Sequence, residues 1–155
     1  MTQLKKVVIA FGSNLGDREV HINEALEILG KIIEIKAVSS IIETEPVGGP
    51  EQGKYLNGVL IGLTELSADD VMRRLLDIES DLGRVRTVKS GPRTIDLDLI
   101  DYEGSIIDTP LLTLPHPRAH ERHFVIAPWA EIDPAASLPN RGTLQEIMKM
   151  NGWSI

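Results

Sequence analysis

Residues 91–100 read GPRTIDLDLI, a segment that opens as a β-strand should and then places two carboxylates where a strand normally gains from apolar packing. Side chains alternate across a strand, so Ile95, Leu97 and Leu99 share one face while Asp96 and Asp98 share the other. Same-face neighbours lie about 7 Å apart, which lets two carboxylates share or bridge hard cations. Carboxylates this close repel, and the repulsion is relieved when Mg²⁺ sits between them. A solvated strand surface would carry the same triplet, so the surroundings must decide.

Those surroundings are basic. Arg84, Arg86, Lys89 and Arg93 all fall in the dozen residues before Asp96, in a chain whose formal net charge is −7. Arginines fork onto phosphate oxygens and carboxylates hold the bridging metal, so this is the composition expected where a polyphosphate is bound. The plainer account is a surface loop of charges paired with Asp77, Glu79 and Asp81. Glu79 adds a separate clue. At 100° per residue it falls inside the apolar arc of its helix, where a carboxylate is usually paired or functional.

Length and composition narrow the classes. At 155 residues, 42% hydrophobic and 25% charged, the chain reads as one soluble domain spanning residues 1–155. Its acidity argues against general nucleic-acid binding. With no cysteine there is no disulfide, thiolate nucleophile or cysteine-type zinc site. The N-terminal apolar run is too short for a signal peptide, and no stretch approaches the roughly 20 apolar residues of a membrane span. A cytoplasmic monomer is expected, acting on small molecules.

The order of elements gives the fold. Lys6–Phe11 is a β-branched run that reads as a buried strand. GSNLGD breaks it, and Asp17 caps a helix over 18–29 that stops at Gly30. Ile32–Thr44 reads as one long second strand. EPVGGPEQG is a loop by composition, and Tyr55–Leu63 a third strand weakened by Gly58 and Gly62. Ser67 begins a second helix, with Asp70 completing a short capping box, Val71, Leu75, Ile78 and Leu82 as its core stripe and Gly83 as its stop. Thr94–Tyr102 is the fourth strand. Pro117 suits the first turn of a helix running to about Trp129, and Leu144–Met150 reads as a weak final helix. The pattern is β-α-β-β-α-β. It predicts an α+β, ferredoxin-like domain: an antiparallel sheet with helices on one face and additional C-terminal helices covering part of the other.

Two further features bear on chemistry. His116, held between two prolines in LPHPR, can donate to a phosphate or cap the element that follows. His116, His120 and His123 also fall at helical spacing, the pattern of a three-histidine metal site, although the charged Glu121 and Arg122 mark this segment as surface. FGSNLGD lies between a strand and a helix but matches neither G-x-x-x-x-G-K-[ST] nor G-x-G-x-x-G. Any ATP site is therefore not a P-loop.

Taken together, FGSNLGD, ETEPVGGPEQGKYLNGV, GRVR…GPRTIDLDLI and LPHPRAHERHFVIAPWAEIDP resemble the 6-hydroxymethyl-7,8-dihydropterin pyrophosphokinases, over about residues 7–135 and in the same order. The resemblance implies an enzyme of folate biosynthesis that transfers pyrophosphate from ATP to the hydroxymethyl group of a reduced pterin and leaves AMP, using two Mg²⁺. By motif, Asp96 and Asp98 would be the metal ligands. Arg84 and Arg93 would grip the phosphates, assisted by Arg86. Thr44, Pro46, Val47, Tyr55, Asn57 and Phe124 would form the pterin pocket, with the rings sandwiching the bicycle and Asn57 reading its amide-like edge. Glu79, Thr113, His116 and Arg122 would lie near the nucleotide.

Members commonly carry a tryptophan just before Gly-Pro-Arg; here Lys89-Ser90 stands there. The loop over residues 84–90 is expected to order only with nucleotide bound. From the residues alone two other readings stay open: a different Mg²⁺-dependent phosphotransferase or phosphohydrolase, and a non-catalytic module that binds a small effector.

Overall fold

β1 (Lys5–Ser13) is the centre of the sheet, and every residue from Val7 to Ser13 is buried. That continuous burial follows from cover on both faces. Val7, Ile9 and Phe11 meet α1 (Arg18–Leu29) and α2 (Ala68–Asp81), while Val8 and Ala10 meet α3 (His123–Ile132) and α4 (Leu144–Asn151). The computed structural model describes residues 4–14, 16–45, 54–82 and 95–153. Among these, no helix is long and apolar enough to cross a membrane.

β4 (Tyr55–Thr64) runs antiparallel along the whole of β1, from Lys5 opposite Thr64 to Ser13 opposite Leu56. β5 (Asp96–Tyr102) pairs antiparallel with the other side of β1, and β2 (Glu34–Val38) and β3 (Ile42–Thr44) both pair with β4, giving the order β2-β4-β1-β5. The sheet is antiparallel throughout, with a helix pair on each face.

Glycines within β4 make room for neighbours. A Cβ on Gly58 would lie 2.4 Å from Phe11 Cζ, and one on Gly62 would lie 3.1 Å from Ile33 Cδ1. Both strand glycines therefore belong to the packing of this face and do not interrupt β4.

The helix caps act as the sequence indicates. The Asp17 carboxylate accepts from the Val20 N–H, and the Ser67 hydroxyl accepts from the Asp70 N–H at 3.2 Å. The Asp70 side chain does not reach back to complete a box; it pairs with Arg73 instead. α4 has the complete box, Thr143 with Glu146, and so is a well-specified helix despite its short apolar pattern.

Two expectations need correcting. The long second strand is broken after Val38. Ser39 Oγ accepts the Val59 N–H, and Ser40 N–H and Oγ both donate to Glu131 Oε2 on α3. These side-chain bonds replace ladder bonds, so β3 restarts at Ile42 in a new register on β4. The helix expected from Pro117 also starts later. Ala119–Glu121 makes one 3₁₀ turn, Arg122 is extended (φ −109°, ψ 104°), and α3 runs His123–Ile132.

Candidate active site

The registers around β1 bring the chemistry together. Asp96 sits opposite Gly12 and Asp98 opposite Ala10, so both carboxylates lie on the sheet face that α3 covers. The small residues opposite them leave a cavity of ≈470 Å³ between sheet and α3, lined by Asp96 and Asp98 and by Arg122 and Phe124. From the far side of the same cavity come Thr44, Tyr55 and Asn57.

At the β3–β4 end, Asn57 is 8% exposed and its Nδ2 donates to Thr44 Oγ1 at 2.5 Å. Its oxygen lies over β1, where a Cβ on Gly12 would come within 2.7 Å of Oδ1. Gly12 is thus a requirement of the Asn57 position. The amide is oriented by a hydroxyl on one strand and admitted by a missing side chain on another.

At the acidic end, Arg122 Nη1 stands 3.7 Å from Asp98 Oδ2, with its guanidinium 5.6 Å from the centroid of the Phe124 ring. The extended conformation of Arg122 just before α3 is what aims that guanidinium inward. His116 lies beside the same charges. Burial lowers its pKa to about 4, the positive charges of Arg122 and Arg118 push the same way, and Asp96 opposes them. Its Nδ1 accepts the Arg118 N–H at 3.2 Å, so the neutral ring carries its proton on Nε2. His116 is a neutral donor that also caps the following turn.

Glu79 is 2% exposed on α2 and accepts the Leu97 N–H at 2.8 Å. It does not line the cavity; it holds the backbone between Asp96 and Asp98. Thr113, in the short strand β7 (Thr113–Leu114), also lies off the cavity lining. Pro46, Val47, Arg84, Arg86 and Arg93, together with the loop over 84–90, fall outside the described residues. The three histidines do not converge: His116 is engaged with Arg118, and His123 meets the Trp153 ring edge-on at 5.5 Å. Among the described residues no group of three or more His, Cys, Asp or Glu is arranged to hold an ion.

Sequence reasoning missed several lining residues, Gly12, Arg118, Glu121 and Trp153, and read His123 only as part of a three-histidine metal site. FGSNLGD reads as a turn, which hides that its first glycine is a strand residue facing Asn57. Trp153 follows a helix that looks weak in sequence and carries no motif.

Comparisons with known proteins give the family. The family model described as 7,8-dihydro-6-hydroxymethylpterin-pyrophosphokinase matches residues 8–134. The chain belongs to this family. It is 44% identical over 126 residues to the 2-amino-4-hydroxy-6-hydroxymethyldihydropteridine pyrophosphokinase of Bacillus subtilis, covering 80% of this chain and 75% of that one. The protein of the same name from Aquifex aeolicus is 38% identical over 128 residues, covering 83% and 80% respectively. A solved HPPK-DHPS structure in complex with substrates superposes with a TM-score of 0.73 at 13% identity, over 96% of this chain and 44% of that one, a likeness of fold alone. As a pyrophosphokinase, this chain transfers pyrophosphate from ATP to hydroxymethyldihydropterin in folate biosynthesis.

Proposed function

We propose that the cavity between β1, β5 and α3 is where this transfer takes place, with the pterin held at the Thr44–Tyr55–Asn57 end and the phosphates at the Asp96–Asp98 end. The observation that carries the reading is the sharing of one cavity by an oriented amide, Asn57, and an acid pair, Asp96 and Asp98. An amide fixed by Thr44 presents an edge that pairs with the amide-like edge of a pterin, and Tyr55 and Phe124 supply ring surface for the bicycle.

The donor set fits Mg²⁺. Two carboxylates on one strand face, with no group of three or more His, Asp or Glu arranged to hold an ion among the described residues, suit an ion that keeps waters and takes its other ligands from substrate phosphates. Two Mg²⁺ bound by Asp96 and Asp98 would neutralise the phosphates and lower the pKa of the pterin hydroxyl. In the transfer the hydroxyl oxygen would bond in line to the β-phosphorus as the bond from that phosphorus to the AMP oxygen breaks, with AMP leaving and the hydroxyl proton passing to solvent. Transfer of this kind asks the protein mainly for position and charge, so no strong general base is needed. Arg122 and the Nε2–H of neutral His116 offer donors beside the acid pair. Arg84, Arg86 and Arg93 would grip the phosphates, Pro46 and Val47 would close the pterin end, and Thr113 would lie toward the nucleotide.

The sheet order β2-β4-β1-β5, with α1 and α2 on one face, supports reading the fold as ferredoxin-like with added C-terminal helices. We take the chain as a single cytoplasmic domain acting as a monomer. The test of the site is a pair of variants. Asp96→Ala should abolish AMP formation while pterin still binds in the presence of a non-hydrolysable ATP analogue, and Asn57→Ala should weaken pterin binding while leaving nucleotide binding in place. Retention of a tenth of wild-type turnover by Asp96→Ala, or an equal loss of both ligands in Asn57→Ala, contradicts the assignment.

A further inference from the structure

We propose that Trp153, braced by His123, is a recognition residue for the pterin, forming an aromatic wall of the cavity that no motif in the chain marks. This rests on the cavity being the pterin site, as argued above.

The chain has only two Phe, two Tyr and two Trp. Of these six, Tyr55, Phe124 and Trp153 line the cavity, whereas the Phe11 ring packs into the core on the opposite face of the sheet. The remaining two are occupied elsewhere: Trp129 is buried in the core beneath α3 and α4, and the Tyr102 hydroxyl donates to the Leu66 carbonyl. Aromatic surface is thus scarce in this chain and gathered where a flat heteroaromatic substrate must lie.

Trp153 is also held in place. α4 ends at Gly152 in the left-handed conformation (φ 71°), which turns the chain back so that the Trp153 N–H donates to the Met148 carbonyl at 2.9 Å. Met148 is fully buried, so the anchor is part of the core. The indole then meets the His123 ring at 5.5 Å and 77°, an edge-to-face contact that fixes the plane of the wall. His123 is the first residue of α3 and directly precedes Phe124. One helix end therefore carries both the Phe124 ring and the brace for Trp153. A half-buried aromatic fixed this firmly before the ligand arrives loses little freedom on binding, which favours affinity.

The alternative is that Trp153 only covers the apolar core, since it also packs against the cluster beneath α3 and α4. The two roles separate on substrate selectivity and on shape. We would titrate 6-hydroxymethyl-7,8-dihydropterin into the full chain with Mg²⁺ and a saturating methylene analogue of ATP, for wild type and for Trp153→Phe, Trp153→Leu, Trp153→Ala and Asn57→Ala. Analogue affinity, unfolding midpoint and the steady-state constants would be measured alongside. Trp153→Ala and Trp153→Leu should weaken pterin binding roughly tenfold and raise its KM more than they lower kcat, while Trp153→Phe should restore most of the affinity and analogue binding stays constant. The inference is overturned if Leu restores binding as well as Phe does, if pterin and analogue affinities fall together with the unfolding midpoint, or if no Trp153 variant differs from wild type. If Trp153 variants bind normally while Asn57→Ala does not, only this inference fails; if Asn57→Ala also binds normally, the placement of the pterin fails with it.

Discussion

Glu79 Oε2 accepts the Leu97 N–H at 2.8 Å, joining α2 to β5 between the two aspartates. β5 ends the main sheet order, so its outward N–H groups need partners other than a strand, and the buried Glu79 supplies one. Removing it leaves a buried donor without an acceptor. Glu79→Ala should lower unfolding stability in urea by about 1–3 kcal/mol and lower kcat as well, because Asp96 and Asp98 lose the backbone hold between them. Glu79→Gln keeps an acceptor for the same N–H and should lose distinctly less stability. Equal losses for the two variants would mean that the hydrogen bond is not what Glu79 contributes.

Gly12 and Gly58 predict opposite balances of stability and binding. Gly12→Ala places a Cβ 2.7 Å from Asn57 Oδ1, so the amide must move off its Thr44 partner. Pterin affinity should fall roughly tenfold, the scale of a buried polar edge losing its match, with a small change in melting temperature. Gly58→Ala drives a Cβ to 2.4 Å from Phe11 Cζ in the core and should cost about 1–3 kcal/mol of stability by overpacking. Calorimetric titration and thermal melts on both variants check the contrast. A larger melting loss for Gly12→Ala than for Gly58→Ala would contradict it.

What was legible in the sequence was whatever local pattern decides. The Asp96–Asp98 alternation, the Asp17 and Ser67 caps and the placing of Glu79 on the apolar arc of α2 all follow from periodicity and chemistry within a few residues. What failed depended on distant partners. The apolar run Ile32–Thr44 looks continuous because nothing local announces Glu131, about 90 residues on, which captures Ser40 and re-registers β3. Pro117 is a good helix start in isolation, yet the His116 N–H is tied to the Ile100 carbonyl on β5. The chain closes one 3₁₀ turn at Ala119–Glu121, and Arg122 is the extended N-cap of a helix that begins only at His123. Gly12 and Trp153 were invisible as site residues for the same reason: one acts through an absent side chain, the other arrives from the far end of the chain.

His116 gives the site a pH signature. Its folded pKa of about 4 lies below the ordinary 6.5, chiefly because burial disfavours the charged ring, with Arg122 adding to the effect. The neutral form is thus the one the fold favours. The resulting stabilisation is fully present above pH 6.5 and is lost as pH falls from there through about 4. His116→Asn offers Arg118 an acceptor without titrating, so its stability should fall less steeply over that window than wild type does. Urea unfolding of metal-free protein at several pH values, with an NMR titration of the His116 ring, measures this. Superimposable pH profiles, or a ring that titrates near 6.5, would remove the prediction.

Arg122 is a cation standing beside the acid pair. Arg122 Nη1 lies 3.7 Å from Asp98 Oδ2 and its guanidinium sits by the Phe124 ring, so the positive charge stands where a metal ion would compete with it. A divalent ion entering alone meets that charge, whereas one arriving with ATP brings phosphates onto which the guanidinium can fork. Replacing Arg122 should therefore act with opposite signs on the two ligands. Arg122→Gln should bind Mn²⁺ alone more tightly, by about fivefold at most, since a partly exposed pair of this kind contributes up to ~1 kcal/mol. The same variant should bind Mg²⁺–ATP analogue more weakly. Arg122→Lys keeps the charge but loses the planar fork, so its Mn²⁺ affinity should match wild type while its nucleotide affinity falls. Mn²⁺ titration followed by electron paramagnetic resonance, beside calorimetry with the analogue, reads both signs. Weaker Mn²⁺ binding in Arg122→Gln would show that the guanidinium supports the metal position, and the competition between them would have to be abandoned.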